Sequence, residues 1–328
     1  MRIEPALHGK VQNGVTQLQN ATVNDDPMSR PRLRVCALQT DPTIGEDVRA
    51  NLARAKALVD DCVRAFDDDG GVGLVVAPEV SFGAYTMTCD AAMRAATEDA
   101  EATLEWARAI ARAHRCHVAF GRVVKREDGS LANAQTVCEP SGRVVYEYYK
   151  SHLYCMDEVW AEEGSGFTVV ELPLRCVQSV EVRGDGSLAI EECVVNARCL
   201  QAICMDINPY KFEAPWEAYE LANAAKTAEL ILFSSAWTNA HPDDDIETKT
   251  APIDPRDVLN YWLARLEPLL GIPNAPHFVC ANRIGVENDI QFVGCSCVID
   301  LSQPKLVTVV TEREETARVA VIELKSQT

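Results

Sequence analysis

The chain contains no run near the ~20 uninterrupted apolar residues that a membrane-crossing helix needs, so no membrane partner is expected. Its 328 residues hold only 17 Gly and 16 Pro, too few for a collagen-like or low-complexity chain. Positive charge is scarce: Lys and Arg number 31 against 49 Asp and Glu, a net charge of −18. Such a surface repels phosphate backbones, which argues against nucleic acid as a partner. The six His are scattered, with no H-E-x-x-H pair, and no G-x-x-x-x-G-K-[ST] loop is present. Gly70-Gly-Val-Gly73 precedes a strand instead of following one, so it lacks the dinucleotide-binding context. Gly164-Ser-Gly166 fails the G-x-S-x-G elbow. Apolar residues, by contrast, make up 47% of the chain, enough for a large core in one big domain or two average ones.

Thirteen Cys is a high and odd number, and Cys36, Cys280, Cys295 and Cys297 lie in apolar runs that read as buried strands. Free thiols in a reducing, cytoplasmic compartment are the plain reading. Cys295-Ser-Cys297 in a strand-like run and Cys199 with Cys204 lack metal-knuckle spacing, so no metal is expected. Residues 1–30 have no apolar h-region and read as a flexible extension, with Met28 as an alternative start.

From Arg32 onward the pattern is regular. Leu33–Leu38, Gly73–Pro78 and Val118–Val124 read as strands, and Asp47–Phe66 and Thr97–His114 as helices. Asn133–Glu139 and Val144–Tyr149 flank a Pro140-Ser-Gly142 turn as a hairpin, and a second hairpin turns at Gly184-Asp-Gly186 before Leu200–Cys204. Trp216–Ala228 and Val258–Leu270 read as helices around strand Leu230–Ser234, and His241–Asp257 as a polar surface excursion. Strands His277–Asn282, Phe292–Ile299 and Val307–Leu324 close the sheet. This pattern predicts one α/β domain with a mixed sheet covered by helices, and no internal repeat.

Three reactive side chains stand at the ends of apolar runs, where loops over a sheet build active sites. Glu79 follows Val75-Val-Ala-Pro, Lys150 follows Tyr148-Tyr149, and Cys204 follows Leu200-Gln-Ala-Ile. Each alone also reads as an N-cap acid, a solvated lysine or an inert core thiol.

The segments Cys36-Ala-Leu-Gln-Thr40, Leu74-Val-Val-Ala-Pro-Glu79, Asn133-Ala134, Tyr148-Tyr-Lys-Ser-His-Leu-Tyr154, Ile203-Cys-Met-Asp206, Cys280-Ala-Asn-Arg-Ile-Gly285 and Gly294-Cys-Ser296 occur in one order. Together, from about Arg32 to Leu324, they resemble the nitrilase superfamily of Glu-Lys-Cys amidohydrolases. The long stretch Cys204-Met-Asp-Ile-Asn-Pro-Tyr-Lys-Phe-Glu-Ala-Pro215, with Asp157-Glu-Val-Trp160 and Asn260-Tyr-Trp262, is similar to the yeast-type protein N-terminal amidases. The resemblance implies a nitrilase-type four-layer α-β-β-α sandwich, a single domain over 31–325 after the 1–30 extension. It also implies deamidation of N-terminal Asn or Gln to Asp or Glu, a step that would feed an N-degron route, with peptide or protein N-termini as substrate and no cofactor.

Under that resemblance Cys204 is the nucleophile, Glu79 the base, and Lys150 with the Met205 backbone N–H the oxyanion holders. Lys150 is also expected to keep the Cys204 thiol ionised. A second acid after the lysine is expected among Glu158, Glu162 and Glu163, with Glu163 preferred. For the substrate α-ammonium, Asp206 and Glu213 are the candidate acids, although Asp206 reads equally as a turn residue. Trp160 and Trp237 read equally as substrate walls and as core filler. A small-molecule amidase, carbamoylase or nitrilase is the alternative activity, and a non-catalytic interaction protein the alternative class. A homo-oligomer is left open. The hairpin over residues 176–199 and the acidic Asp243-Asp-Asp245 depart from the family pattern.

Overall fold

The alternating run at the start of the domain becomes β1 (Arg32–Gln39), with apolar side chains on both of its faces. That double burial is what a strand sandwiched between two layers requires. Here the structure is a computed structural model that describes residues 30–45, 47–67, 70–183, 188–239, 254–311 and 313–324. The expected extension up to residue 29, the Gly184–Gly186 turn and Asp243-Asp-Asp245 lie outside the described residues.

β1 pairs in parallel with β2 (Leu74–Val76), which pairs in parallel with β3 (His117–Lys125). The sheet continues antiparallel through β4 (Leu131–Cys138) to β5 (Val144–Tyr149), while β14 (Thr316–Glu323) lies antiparallel on the other side of β1. A second set runs from the long hairpin β6 (Val169–Val182) and β7 (Leu188–Ile203) through β8 (Leu230–Ser235) and β9 (His277–Asn282). The short hairpin β10 (Ile284–Glu287) and β11 (Ile290–Val293) follows. The second set then ends in β12 (Cys297–Asp300) and β13 (Lys305–Val309). The two sets meet in register at Arg32↔Val177 and otherwise stack face to face. Leu33, Val35, Leu74 and Val76 of the first pack against Leu172, Leu174, Leu230, Leu232 and Val279 of the second.

Helices cover both outer faces. Leu52, Ala55, Val59 and Val63 of α1 (Val48–Arg64) and Trp106, Ala107, Ile110 and Ala111 of α3 (Ala100–His114) lie on Cys36, Leu38, Val75, Val118 and Phe120. Asp47 caps α1 by accepting the Arg49 amide at 2.9 Å. Leu221 and Ala222 of α4 (Glu220–Ala224) and Val258 and Trp262 of α5 (Pro255–Arg265) cover Ile231, Phe233, Phe278 and Cys280. The layers are thus α-β-β-α, as the resemblance implies.

Several expected elements differ, among them Val307–Leu324, which is two strands, β13 beside β12 and β14 beside β1. The expected helix Thr97–His114 starts only at Ala100, as α3 on the sheet, and is preceded by an unexpected helix, α2 (Cys89–Thr97), whose Ala92 packs with Val80, Met87 and Trp160. The expected helix Trp216–Ala228 breaks at Tyr219, whose φ of 43° is left-handed. The expected strand Phe292–Ile299 turns a corner at Gly294 and Cys295, with φ of 70° and 64°. Cys295 and Ser296 therefore lie in a bend between β11 and β12, and Cys297 opens β12.

Candidate active site

β2 runs out at Val76, and Ala77-Pro-Glu79 carries the carboxylate into the seam between the sheets. Gly121 of β3 makes room for this turn: a Cβ there would lie 2.4 Å from the Pro78 carbonyl oxygen and 2.7 Å from Glu79 Cα. The Gly121 amide donates to the Pro78 carbonyl at 3.1 Å and to Ser81 Oγ at 3.1 Å, pinning the turn. Lys150 follows β5, and its amide donates to the Asn133 carbonyl at 2.9 Å. Cys204 follows β7 with φ of 41°, a left-handed conformation that costs a non-glycine residue about 1–3 kcal/mol.

Asp206 offsets that strain. Its Oδ2 accepts the Ile203 amide at 2.7 Å and Tyr148 Oη at 2.9 Å. Its Oδ1 accepts the Ser151 and His152 amides at 3.1 and 2.8 Å. One buried carboxylate thus ties the nucleophile turn to the lysine loop. Asp206 is fully buried and committed to four donors, so it is a clamp and leaves no oxygen for a substrate ammonium.

Lys150, also fully buried, donates to Glu79 Oε1 at 2.6 Å and to Asp157 Oδ2 at 2.5 Å. The Asn133 amide donates to Glu79 Oε1 at 2.8 Å and to Asp157 Oδ1 at 3.0 Å. Glu79 Oε2 accepts the Ala236 amide at 2.9 Å, and that amide also reaches the Cys204 sulfur. Burial pushes the Glu79 carboxyl above its ordinary range; Lys150 opposes the rise and Asp157 adds to it. For Lys150 burial works to lower the ammonium's pKa, but Asp157 and Glu79 outweigh it and hold the group charged. The Cys204 thiol is pushed well above the thiol range, first by burial and then by the Glu79 carboxylate, with Lys150 pulling the other way. Lys150 is thus the charged group that favours the Cys204 thiolate, against burial and the Glu79 carboxylate.

The acid after the lysine is Asp157. Glu158, Glu162 and Glu163 are exposed, and Glu163 instead accepts Tyr210 Oη at 2.8 Å. The chain turns back after Leu153, with Asp157 Oδ2 accepting the Tyr154 amide at 3.0 Å, so that seven residues after Lys150 a carboxylate returns to its ammonium. A lysine buried at a strand end needs such a partner nearby, a signal that favours the first acid after it over the third or fourth. Asn133, missed as a site residue, lies on β4 beside β5.

Met205 opens the turn after Cys204 and is buried. Glu213 is exposed on the segment beyond it and is not brought to the cluster. Trp160 is core filler, packed with Val80, Met87, Val123 and Leu153. Trp237 is half-buried beside Cys204, Tyr148 and Ile203, with its ring 5.5 Å from that of Tyr261. Glu79, Lys150 and Cys204 are thus gathered at one end of the sandwich, while Glu163, Asp206, Glu213 and Trp160 are not free to act there.

The description of the carbon-nitrogen hydrolase family matches residues 33–328. This chain is a carbon-nitrogen hydrolase. It is 28% identical over 291 residues to the protein N-terminal amidase of Schizosaccharomyces pombe (strain 972), covering 82% of this chain and 92% of that one. With the protein N-terminal amidase of Saccharomyces cerevisiae it shares 25% over 225 residues, 66% of this hydrolase but only 47% of that protein. With the 2-oxoglutaramate amidase of Bacillus subtilis it shares 31% over 207 residues, 62% of each. The fold of this hydrolase matches the crystal structure of an N-terminal amidase with an Asn-Glu-Ala peptide, at a TM-score of 0.73, 18% identity, and coverage of 90% and 99% of the two chains.

Proposed function

We propose that this hydrolase removes the side-chain amide from N-terminal Asn or Gln of peptides and proteins, leaving Asp or Glu and releasing ammonia. The observation that carries this reading is the match along 92% of the S. pombe protein N-terminal amidase, in a chain whose Glu79, Lys150 and Cys204 share one buried cluster. We infer that residues 31–325 form the catalytic unit and that 1–30 stand outside it.

Amide carbonyls are weak electrophiles, so the reaction needs a strong nucleophile made only when substrate is present. Glu79 takes the thiol proton as Cys204 Sγ attacks the carboxamide carbon. The ammonium of Lys150 has three N–H donors, and Glu79 and Asp157 engage two of them. The third, with the Met205 backbone N–H, holds the oxyanion, a donor typically worth about 3–4 kcal/mol. Collapse breaks the C–N bond, and ammonia leaves with the proton that Glu79 returns. Water then attacks the thioester with Glu79 as base, releasing the acid and restoring the thiol. With Asp206 committed and Glu213 outside, the face of Trp237 is the wall beside Cys204 against which the α-ammonium end rests.

The test is ammonia release from short peptides beginning with Asn or Gln, each compared with its N-acetylated twin. Release from the free peptides alone, and none from the Cys204→Ala protein, is the expected result. Equal release from both forms would replace this reading with a small-molecule amidase, the activity of the B. subtilis relative. No release from either would leave the interaction-protein reading.

A further inference from the structure

We infer that Asn133 is a positioning residue of this site: its side-chain amide holds the Glu79 and Asp157 carboxylates at a set separation around Lys150, while its carbonyl fixes the Lys150 backbone. The assignment rests on Glu79 serving as the base in the proposed reaction.

The geometry is unusual for a strand residue. Both N–H donors of one amide go to carboxylates, at 2.8 Å to Glu79 Oε1 and 3.0 Å to Asp157 Oδ1. The same residue's carbonyl accepts the Lys150 amide at 2.9 Å. Asn133 is fully buried in β4, every residue of which is buried, so no water competes for these bonds. Its Oδ1 has no hydrogen-bond partner among the described residues. A buried amide left to itself turns its oxygen toward a donor. Here the oxygen goes unpaired so that both hydrogens can face the two acids.

The reason lies in the charge count. Two carboxylates share a single ammonium in a water-free site, which leaves one negative charge uncompensated. A second cation would neutralise it and would also stabilise the ionised base too strongly to accept a proton from a thiol. A neutral NH2 group spreads the excess charge over two more hydrogen bonds and keeps the acids apart. The ionisable groups that face Glu79 are Lys150, Asp157, Cys204, Tyr85 and Arg283. Lys150 already spans both acids, and among the described residues Cys204, Tyr85 and Arg283 make no hydrogen bond to Asp157, so none of the four can take over the Asn133 bridge. Because the N–H donates to the charged form of Glu79, losing it makes the carboxyl easier to protonate.

The experiment compares the full chain with Asn133→Asp and Asn133→Ser. The first keeps the shape but replaces the donors with a third acid, and the second keeps a single hydroxyl. Two readouts are taken against pH: peptide hydrolysis, and alkylation of Cys204 by iodoacetamide followed by mass spectrometry of its tryptic peptide, which needs no substrate. In both variants kcat is expected to fall about 10- to 100-fold with KM within about threefold. The acid limb of both profiles is expected to move to higher pH, further in Asn133→Asp. Folded variants with an unchanged acid limb would overturn the proposal. Failure of both variants to fold would make Asn133 part of the scaffold and overturn it equally. If the native chain leaves the peptides untouched while the alkylation limb still shifts, the substrate reading fails and the role of Asn133 stands.

Discussion

Glu79, Lys150 and Cys204 differ in how each meets burial, and that difference sets what a substitution should do. Glu79 accepts burial by sitting against an ammonium and two N–H groups, so Glu79→Gln keeps the packing but loses the proton acceptor. A loss of about 10²–10⁴ in kcat is expected, measured by ammonia release. Asp157→Asn should cost about 10- to 100-fold through misplacement of Lys150, whereas Glu163→Gln, whose bond is to Tyr210 on the surface, should stay within twofold by the same assay. A different residue governs acid stability. His117 is buried with neither ring nitrogen paired among the described residues, and burial pushes its pKa down to about 4. The unfolded imidazole takes up its proton near pH 6.5 and the folded one only near 4. Stability is therefore lost as pH falls through that window, on the order of 3 kcal/mol in all. Thermal melts between pH 7 and 4 should show this loss, and His117→Leu should flatten it.

At the scale of elements, the strand ends carry the chemistry, and their turns carry the constraints. Gly121→Ala would set a Cβ 2.4 Å from the Pro78 carbonyl oxygen, so the Glu79 turn must move even if the strand does not. The expected outcome is a protein that melts cooperatively, a few degrees lower, with kcat reduced at least about tenfold. Most of the strands could be read from apolar runs, and β9 falls on the expected His277–Asn282. Glu79, Lys150 and Cys204 each end such a run, but each alone also reads as ordinary, and it is the family resemblance that singles them out together. What stayed illegible depended on contacts between distant segments. Asp157 and Glu163 are both acids after a lysine, and only the turn at Leu153–Asp157 decides which one returns to it. Asp206 looked as much like a ligand acid as a clamp until four donors converged on it. The breaks at Tyr219 and at Gly294–Cys295 hinge on single left-handed residues, which apolar periodicity does not register.

At the scale of the whole molecule, the site is divided between the two sheets. Glu79 and Lys150 extend from β2 and β5 of one, and Cys204 from β7 of the other. The register between the sheets reduces to one residue pair, so their alignment depends on face-to-face packing and on buried bonds across the seam. Gln135 of β4 donates to Ser234 Oγ of β8 at 2.6 Å, Ser234 donates to the Ala77 carbonyl at 2.7 Å, and the Ala236 amide donates to Glu79. Each sheet can form its own backbone ladders before those bonds exist. In time, then, this enzyme should acquire its parts before it acquires its purpose. During refolding from denaturant, far-ultraviolet circular dichroism should recover in an earlier phase than ammonia release, since chains of this size gather secondary structure ahead of final packing. Recovery of both in one phase would mean that the sheets form only by docking. Activity would in either case serve as a clock for the last act of folding.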